Sequence, residues 1–284
     1  MNTAGYLRRL GLPDPLRFPV SADGLRTLHR AHVEKVSYEA LEIWLGRSTT
    51  VDPRESAERI IRGRGGYCYH LNGAFSALAG ALGYDVVRHV GGVQKRGGAP
   101  EVDASHLVLT VRGLPSGDNP GGEWLVDVGL GDALHEPLPL VAGTYRQGPF
   151  QYVLRASEVA PGGWRFDHDP NGSFDGMDFA TEPAEMSAFT GMHRHLTTSP
   201  ESGFVRVAAV QRRDAYGVDS LRGLHLTRLG AGAHSVTLDT SRDYYAALAD
   251  VFLLPLDDVS AEEKDELWRK VNKAHENWLT GRSA

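Results

Sequence analysis

One stretch constrains this chain more than any other: Arg64-Gly65-Gly66-Tyr67-Cys68-Tyr69-His70-Leu71-Asn72-Gly73, which holds the only cysteine. Leu71, Ala74, Phe75, Leu78, Ala81 and Leu82 then recur at three- and four-residue steps, which predicts a helix with one buried face. Gly65 and Gly66 allow a tight turn ahead of it. Cys68 falls in the first turn, where unpaired N–H groups and the helix dipole favour an anion. A thiol there ionises more readily, and the thiolate is the nucleophile. A lone cysteine is more commonly a small buried hydrophobe. Against that stand the polar-tipped neighbours Tyr67, Tyr69 and His70, and a histidine and an aspartate further along, each inside a strand-like apolar run.

At 284 residues the chain is long enough for two or three subdomains. Its net charge of −6 gives no reason to expect nucleic acid or an anionic membrane as partner, since both attract basic surfaces. One cysteine makes no internal disulfide. No apolar run approaches the ~18 residues of a membrane span and the N-terminus carries no signal pattern, so the expectation is a cytoplasmic protein.

The first third reads as helical. Ser21 and Asp23 offer caps for a helix through Leu25, Leu28, His29, His32 and Val33, and Asp52-Pro53 opens another. From about Tyr84 the period changes to that of strands, at Val86–Val90, Ser105–Val111, Trp124–Val128, Phe150–Arg155, Trp164–Asp167 and Met177–Phe179. Strands in succession without helices between them suggest an antiparallel barrel or sandwich. A short helix over Glu182–Met192 follows, then strands at Phe204–Gln211, Leu224–Arg228 and Ser235–Leu238. Helices at Asp243–Val251 and from Ser260 to Trp278 close the chain, the second opened by a capping box with Glu263. The boundaries fall near residues 85 and 195.

Alternation puts Leu107, Leu109 and Val111 on one face of their strand and His106, Val108 and Thr110 on the other. Asp127 sits in an apolar run, where a carboxylate is costly to bury unless something pairs with it. A thiol, a histidine to take its proton and a carboxylate to fix the imidazole are the residue types of a nucleophile–base–orienter set. Spacing alone leaves open that His106 caps a strand edge and Asp127 holds a turn. His29 and His32, three apart, read as a solvated helix face, and His193 and His195 lie beside a loop. Cys68 with His70 falls short of a zinc site. No metal is expected.

Arg-Gly-Gly-Tyr-Cys (64–68) with Asn72, Ser-His-Leu-Val-Leu (105–109) and Leu-Val-Asp-Val-Gly-Leu-Gly (125–131) resemble, in order and spacing, the three signature segments of the arylamine N-acetyltransferases. Tyr38-Glu39-Ala40-Leu41 and Ser202-Gly203-Phe204 extend the likeness across most of the chain. The resemblance implies an α+β fold with a cysteine-protease-like catalytic core. A helical domain over 1–85 carries the cysteine, an antiparallel β-barrel over 86–195 carries the histidine and aspartate, and an α/β lid covers 196–284. It further implies Cys68 as nucleophile, His106 as base and Asp127 as its orienter. Acetyl-CoA serves as co-substrate, with no tightly bound cofactor, and an arylamine, arylhydrazine or arylhydroxylamine as acceptor. Gly129, Leu130 and Gly131 match the region where CoA approaches. Tyr38, Leu130 and Phe204 fall at the acceptor pocket, and Arg64, Glu39 and Asn72 are scaffold, Arg64 and Glu39 matching positions that pair. Tyr38 and Leu130 stand where the family has phenylalanine, and His70-Leu71 replaces a more acidic sequence. These departures bear on the amine and leave the acyl-transfer groups intact. Alternatives are an amide synthase of the same fold that forms a macrolactam from a thioester-bound polyketide, a transglutaminase- or protease-like cysteine hydrolase, and a non-catalytic binding relative.

Overall fold

Side-chain caps write the helix starts of the first quarter. Asn2, Ser21 and Asp52 each accept a backbone N–H at the head of α1 (Thr3–Arg9), α2 (Ala22–Lys35) and α4 (Pro53–Ile61). Between α2 and α4 lie a two-residue strand, β1 (Tyr38–Glu39), and one turn of helix, α3 (Leu41–Trp44). The computed structural model describes residues 1–13 and 15–281. Helix α5 (Cys68–Leu82) follows and ends at Gly83, whose φ of +99° is the left-handed stop that glycine adopts without strain. Every residue from Cys68 to Ser76 is buried, so the first turns of α5 are enclosed all round, where the periodicity had predicted one buried face, and at its far end Gly80 and Ala81 are exposed. Small residues such as Gly73 and Ala74 let α4 close on one side while strands close on the other.

Eight strands form the second layer: β2 (Asp85–Gln94), β3 (His106–Arg112), β4 (Trp124–Val126), β5 (Leu138–Pro139), β6 (Gly143–Gln147), β7 (Phe150–Ala156), β8 (Trp164–Asp167) and β9 (Gly176–Pro183). Their order is β5-β4-β3-β2-β9-β8-β7-β6, with every pairing antiparallel, and the sheet curls into a nearly closed barrel. The alternation in β3 separates two cores. Leu107, Leu109 and Val111 pack with Phe75 and Leu78 of α5, whereas Val108 joins Leu125, Phe166 and Met177 inside the barrel.

After β9 the chain makes a 3₁₀ turn (Met186–Phe189), then α6 (Thr190–Thr198) and the short α7 (Gly203–Arg206). The helix expected over Glu182–Met192 is therefore displaced, because β9 continues to Pro183. The expected strand over Phe204–Gln211 begins later, because Ser202 accepts the Phe204 N–H and caps α7 instead. Strands β10 (Ala209–Asp214), β11 (Gly217–Arg222), β12 (His225–Gly230) and β13 (His234–Thr237) complete a second sheet, with β1 of the N-terminal region as its first strand. Two helices, α8 (Ser241–Asp250) and α9 (Ala261–Leu279), pack Tyr244, Leu248, Leu267 and Val271 against Val210, Leu221 and Leu226. Ser260 and Glu263 form the expected capping box of α9. No helix among the described residues is long and apolar enough to cross a membrane.

Candidate active site

Cys68 is the first residue of α5 and only 3 % exposed. The glycines before it are required by close approach. A Cβ on Gly65 would lie 2.1 Å from the Ser37 carbonyl oxygen, and one on Gly66 would lie 2.5 Å from Cβ of His70. His70 accepts the Tyr67 N–H on Nδ1 at 3.4 Å, doing for the helix start what an acidic residue does in a capping box. The Cys68 thiol points toward the Ser105 carbonyl, at 3.7 Å, and so toward the start of β3, where His106 stands.

His106 Nε2 lies 2.7 Å from Asp127 Oδ2, with both side chains essentially sealed from solvent. Burial draws the imidazole's proton affinity down. The Asp127 charge and hydrogen bond, with the Cys68 side chain acting in the same direction, more than offset this and raise its pKa to about 10. The other carboxylate oxygen, Oδ1, accepts the Asn72 side-chain N–H at 2.8 Å and the Gly129 N–H at 2.9 Å. Asn72 also donates to the Leu107 carbonyl at 2.6 Å and accepts the Val128 N–H at 2.9 Å. One amide on the cysteine helix therefore registers the histidine strand and the aspartate turn together.

His29 and His32 are fully buried, which overturns their reading as a solvated helix face. Burial is the main cause that holds their pKa values down, to about 4 and about 3. Neutral His29 bridges two loops, with Nδ1 3.0 Å from the His135 carbonyl and Nε2 3.1 Å from the carbonyl and 3.3 Å from the N–H of Asp127. It thus fixes the backbone that carries the carboxylate. The i, i+3 spacing of the two histidines held no sign of this, since the partner is 98 residues away.

A cleft of about 450 Å³ opens onto Cys68 and His106. Tyr38, Leu130 and Phe204, expected at the acceptor pocket, all line it, as does Gly129. Gly129 is glycine because a Cβ there would lie 2.8 Å from the Cys68 Cα; its openness serves the cysteine helix. Gly131, expected beside CoA, does not line the cleft: it has φ +68° and makes room for the Gln211 side chain. Arg64, Glu39 and Asn72 lie behind the cleft. Arg64 pairs with Glu42 at 2.8 Å and Asp258 at 3.1 Å rather than with Glu39. The Glu39 carboxylate is occupied by the N–H groups of Leu41 and Gly65.

Sequence reading missed Phe174, Gln211 and Met192 as cleft residues. It also missed His193, whose ring sits on α6 rather than beside a loop, with Nδ1 2.5 Å from the Tyr67 hydroxyl and Nε2 2.7 Å from the Thr49 carbonyl. Tyr67 in turn packs its ring 4.8 Å from that of Phe204. No cluster of metal-ligating side chains occurs among the described residues.

The N-acetyltransferase family profile matches residues 21–261. An arylamine N-acetyltransferase of Mycolicibacterium smegmatis is 30 % identical over 282 residues, covering 93 % of this chain and 95 % of its own. The structure of the arylamine N-acetyltransferase from Mycobacterium abscessus superposes with a TM-score of 0.82 at 26 % identity, over 96 % of this chain and 95 % of that one. The Mycobacterium marinum arylamine N-acetyltransferase in complex with CoA shares the fold with a TM-score of 0.83 at 24 % identity, over 96 % and 99 % of the two chains.

Proposed function

Because the chain belongs to the arylamine N-acetyltransferase family, we propose that Cys68 carries an acetyl group from acetyl-CoA to an arylamine, with His106 as its base and Asp127 as the base's orienter. The observation that carries this assignment is the His106 ring, held by Asp127 on one side and acted on by the Cys68 thiol.

Acetyl transfer proceeds in two displacements through one covalent intermediate. His106 takes the thiol proton, and the thiolate attacks the thioester carbonyl. The charge on the carbonyl oxygen develops beside the first turn of α5, whose leading N–H groups have no intrahelical acceptor. Collapse expels the CoA thiolate, which receives the proton from His106, and leaves acetyl-Cys68. An arylamine then attacks the acetyl carbon and gives its proton to His106. The second collapse releases the N-acetyl product and restores the thiolate–imidazolium pair. Throughout, Asp127 keeps the Nε2 proton of His106 in place, so the nitrogen free for proton transfer is the one facing the reaction.

Tyr38, Leu130, Phe174 and Phe204 give the cleft an apolar and aromatic lining that suits a flat aryl group. The cytoplasm is the compartment we infer, since a chain with one cysteine forms no internal disulfide and does not depend on an oxidising compartment. Intact mass spectrometry tests the reading. Acetyl-CoA is expected to add one acetyl group to the wild type and none to Cys68→Ala, and an arylamine or hydrazine to discharge it. Transfer by Cys68→Ala near the wild-type rate would overturn the covalent route.

A further inference from the structure

Asp132 and His168 form another fully buried carboxylate–imidazole contact, and neither has a part in the acyl transfer described above. Asp132 is 3 % exposed and joins two separate pieces of the cleft wall. Its Oδ2 accepts the Ser173 N–H at 2.6 Å and its Oδ1 the Ser173 hydroxyl at 3.0 Å. Its own N–H donates to the Leu130 carbonyl at 2.8 Å, closing a three-residue turn about Gly131, whose φ is +68°. Leu130, Ser173 and Phe174 all line the catalytic cleft, and Asp132, behind them, does not.

The connection from β8 to β9 that carries Ser173 and Phe174 is tied at its far end too. The Asp175 N–H donates to the Gln94 carbonyl at 3.0 Å, and Asp175 Oδ2 accepts the Gly97 N–H at 2.8 Å. Phe174 therefore stands between two pinned residues. Its floor is His168, with the rings edge to face at 4.3 Å. The His168 side chain is enclosed, and neither ring nitrogen has a hydrogen-bond partner among the described residues. Its Nε2 lies 3.4 Å from Asp132 Oδ1. Gly172 crosses so close above this ring that a Cβ there would run into it. Burying an imidazole in this way is costly by itself; here it fills the space under the loop that presents Phe174.

We propose that Asp132, with His168 as the floor beneath the loop, is a positioning residue for the acyl acceptor: by clamping Ser173 to the Leu130 turn it holds Phe174 where the acceptor's aryl ring packs. The proposal rests on the acetyl-transfer reading above. Asp132 moves no proton and touches no substrate. Its effect is confined to acceptors that carry a ring, because a nucleophile without one makes no aromatic contact for Phe174 to supply.

The test discharges acetyl-Cys68 with phenylhydrazine and with hydrazine, which share the nucleophilic group and differ in the ring. Wild type, Asp132→Ala, Phe174→Ala and the double variant are compared. The readout is the ratio of the two second-order rate constants, which does not depend on how much of each preparation is active. Asp132→Ala and Phe174→Ala are each expected to lower that ratio about two- to tenfold, as loss of an aromatic contact does. The double variant should lower it no further than Phe174→Ala, since both act through one ring. Asp132→Asn keeps an acceptor for the Ser173 N–H and should restore most of the ratio. An unchanged ratio in Asp132→Ala overturns the assignment, as do losses that add in the double variant. Should Asp132→Ala fail to fold, Ser173→Ala deletes only the hydroxyl bond and must shift the ratio the same way; an unchanged ratio there overturns the assignment equally. If acetyl-CoA does not acetylate wild-type Cys68, or neither nucleophile discharges it, the failure lies in the acetyl-transfer reading itself.

Discussion

Replacing Asp127 by Asn tests the catalytic arrangement at its most sensitive point. Oδ1 of Asp127 accepts two N–H groups, from Asn72 and Gly129, while Oδ2 faces His106 Nε2. An asparagine must keep its carbonyl oxygen toward the two donors, so its NH₂ turns toward His106. The ring nitrogen there becomes an acceptor, and the imidazole proton moves to the nitrogen that should take the thiol proton. The charge effect acts in the same direction. His106 stands at about 10 with Asp127 in place, against 6.5 for a free imidazole, a difference on the order of 5 kcal/mol. Without the carboxylate, burial alone remains to depress it. Turnover is expected to fall about ten-thousandfold, as the same substitution does in serine triads that adopt the wrong tautomer. The assay is the rate of iodoacetamide inactivation against pH for wild type, Asp127→Asn and His106→Gln. At each pH wild type should be inactivated faster than either variant, because only its imidazole is held ready to take the thiol proton. Superimposable profiles, with kcat of Asp127→Asn within tenfold of wild type, would refute the reasoning.

Gly129→Ala places a Cβ 2.8 Å from the Cys68 Cα, so the helix start or the aspartate turn must move; we expect about a hundredfold loss of kcat and about 1–3 kcal/mol of stability in urea unfolding, and wild-type turnover would contradict this. His29 and His32 titrate at about 4 and about 3 in the fold but near 6.5 when unfolded. The unfolded chain therefore binds more protons in that window, and stability falls as the pH drops from about 6.5 toward 4, by up to about 1.4 kcal/mol per unit for each ring. His32→Phe should remove one ring's share of that slope in unfolding series at pH 7, 6 and 5, and an unchanged slope would exclude it. Leu130→Phe puts a ring into the cleft wall, which should shift preference among arylamines several-fold, from about 0.5–1.5 kcal/mol of aromatic contact, while changing the acetylation rate of Cys68 less; equal effects on both half-reactions would place Leu130 on the thioester path.

What could be read in the sequence was what local pattern encodes. The cysteine helix, the inward and outward faces of β3 and the capping box of α9 all follow from periodicity or short-range hydrogen bonds. His106 and Asp127 stood out because each is polar inside an apolar run. The illegible parts depend on partners distant in the chain. His29 reads as exposed until the turn at Asp127 covers it, and the two-residue β1 has no period of its own. At Phe204 the strand-forming residues mislead, because the Ser202 cap outweighs their preference over one turn. The Arg64 partner was misassigned for a similar reason. Glu39 and Glu42 are close in sequence, and only the folded turn shows that Glu39 is occupied by backbone N–H groups.

The position of β1 bears on how this protein is made. Tyr38 pairs with Gln211 in the second sheet and bridges to Gly66 beside the nucleophile. A chain leaving the ribosome holds Cys68, His106 and Asp127 outside the exit long before β10 has been synthesised. Until then one wall of the cleft, with Gln211 and Phe204, is missing, and the edge of β1 has no strand to join. Contacts of such long sequence separation form late and slowly. The nascent enzyme thus acquires its reactive thiol well before it acquires the chamber that selects what the thiol meets, and a truncated product lacking the last third would carry the first without the second.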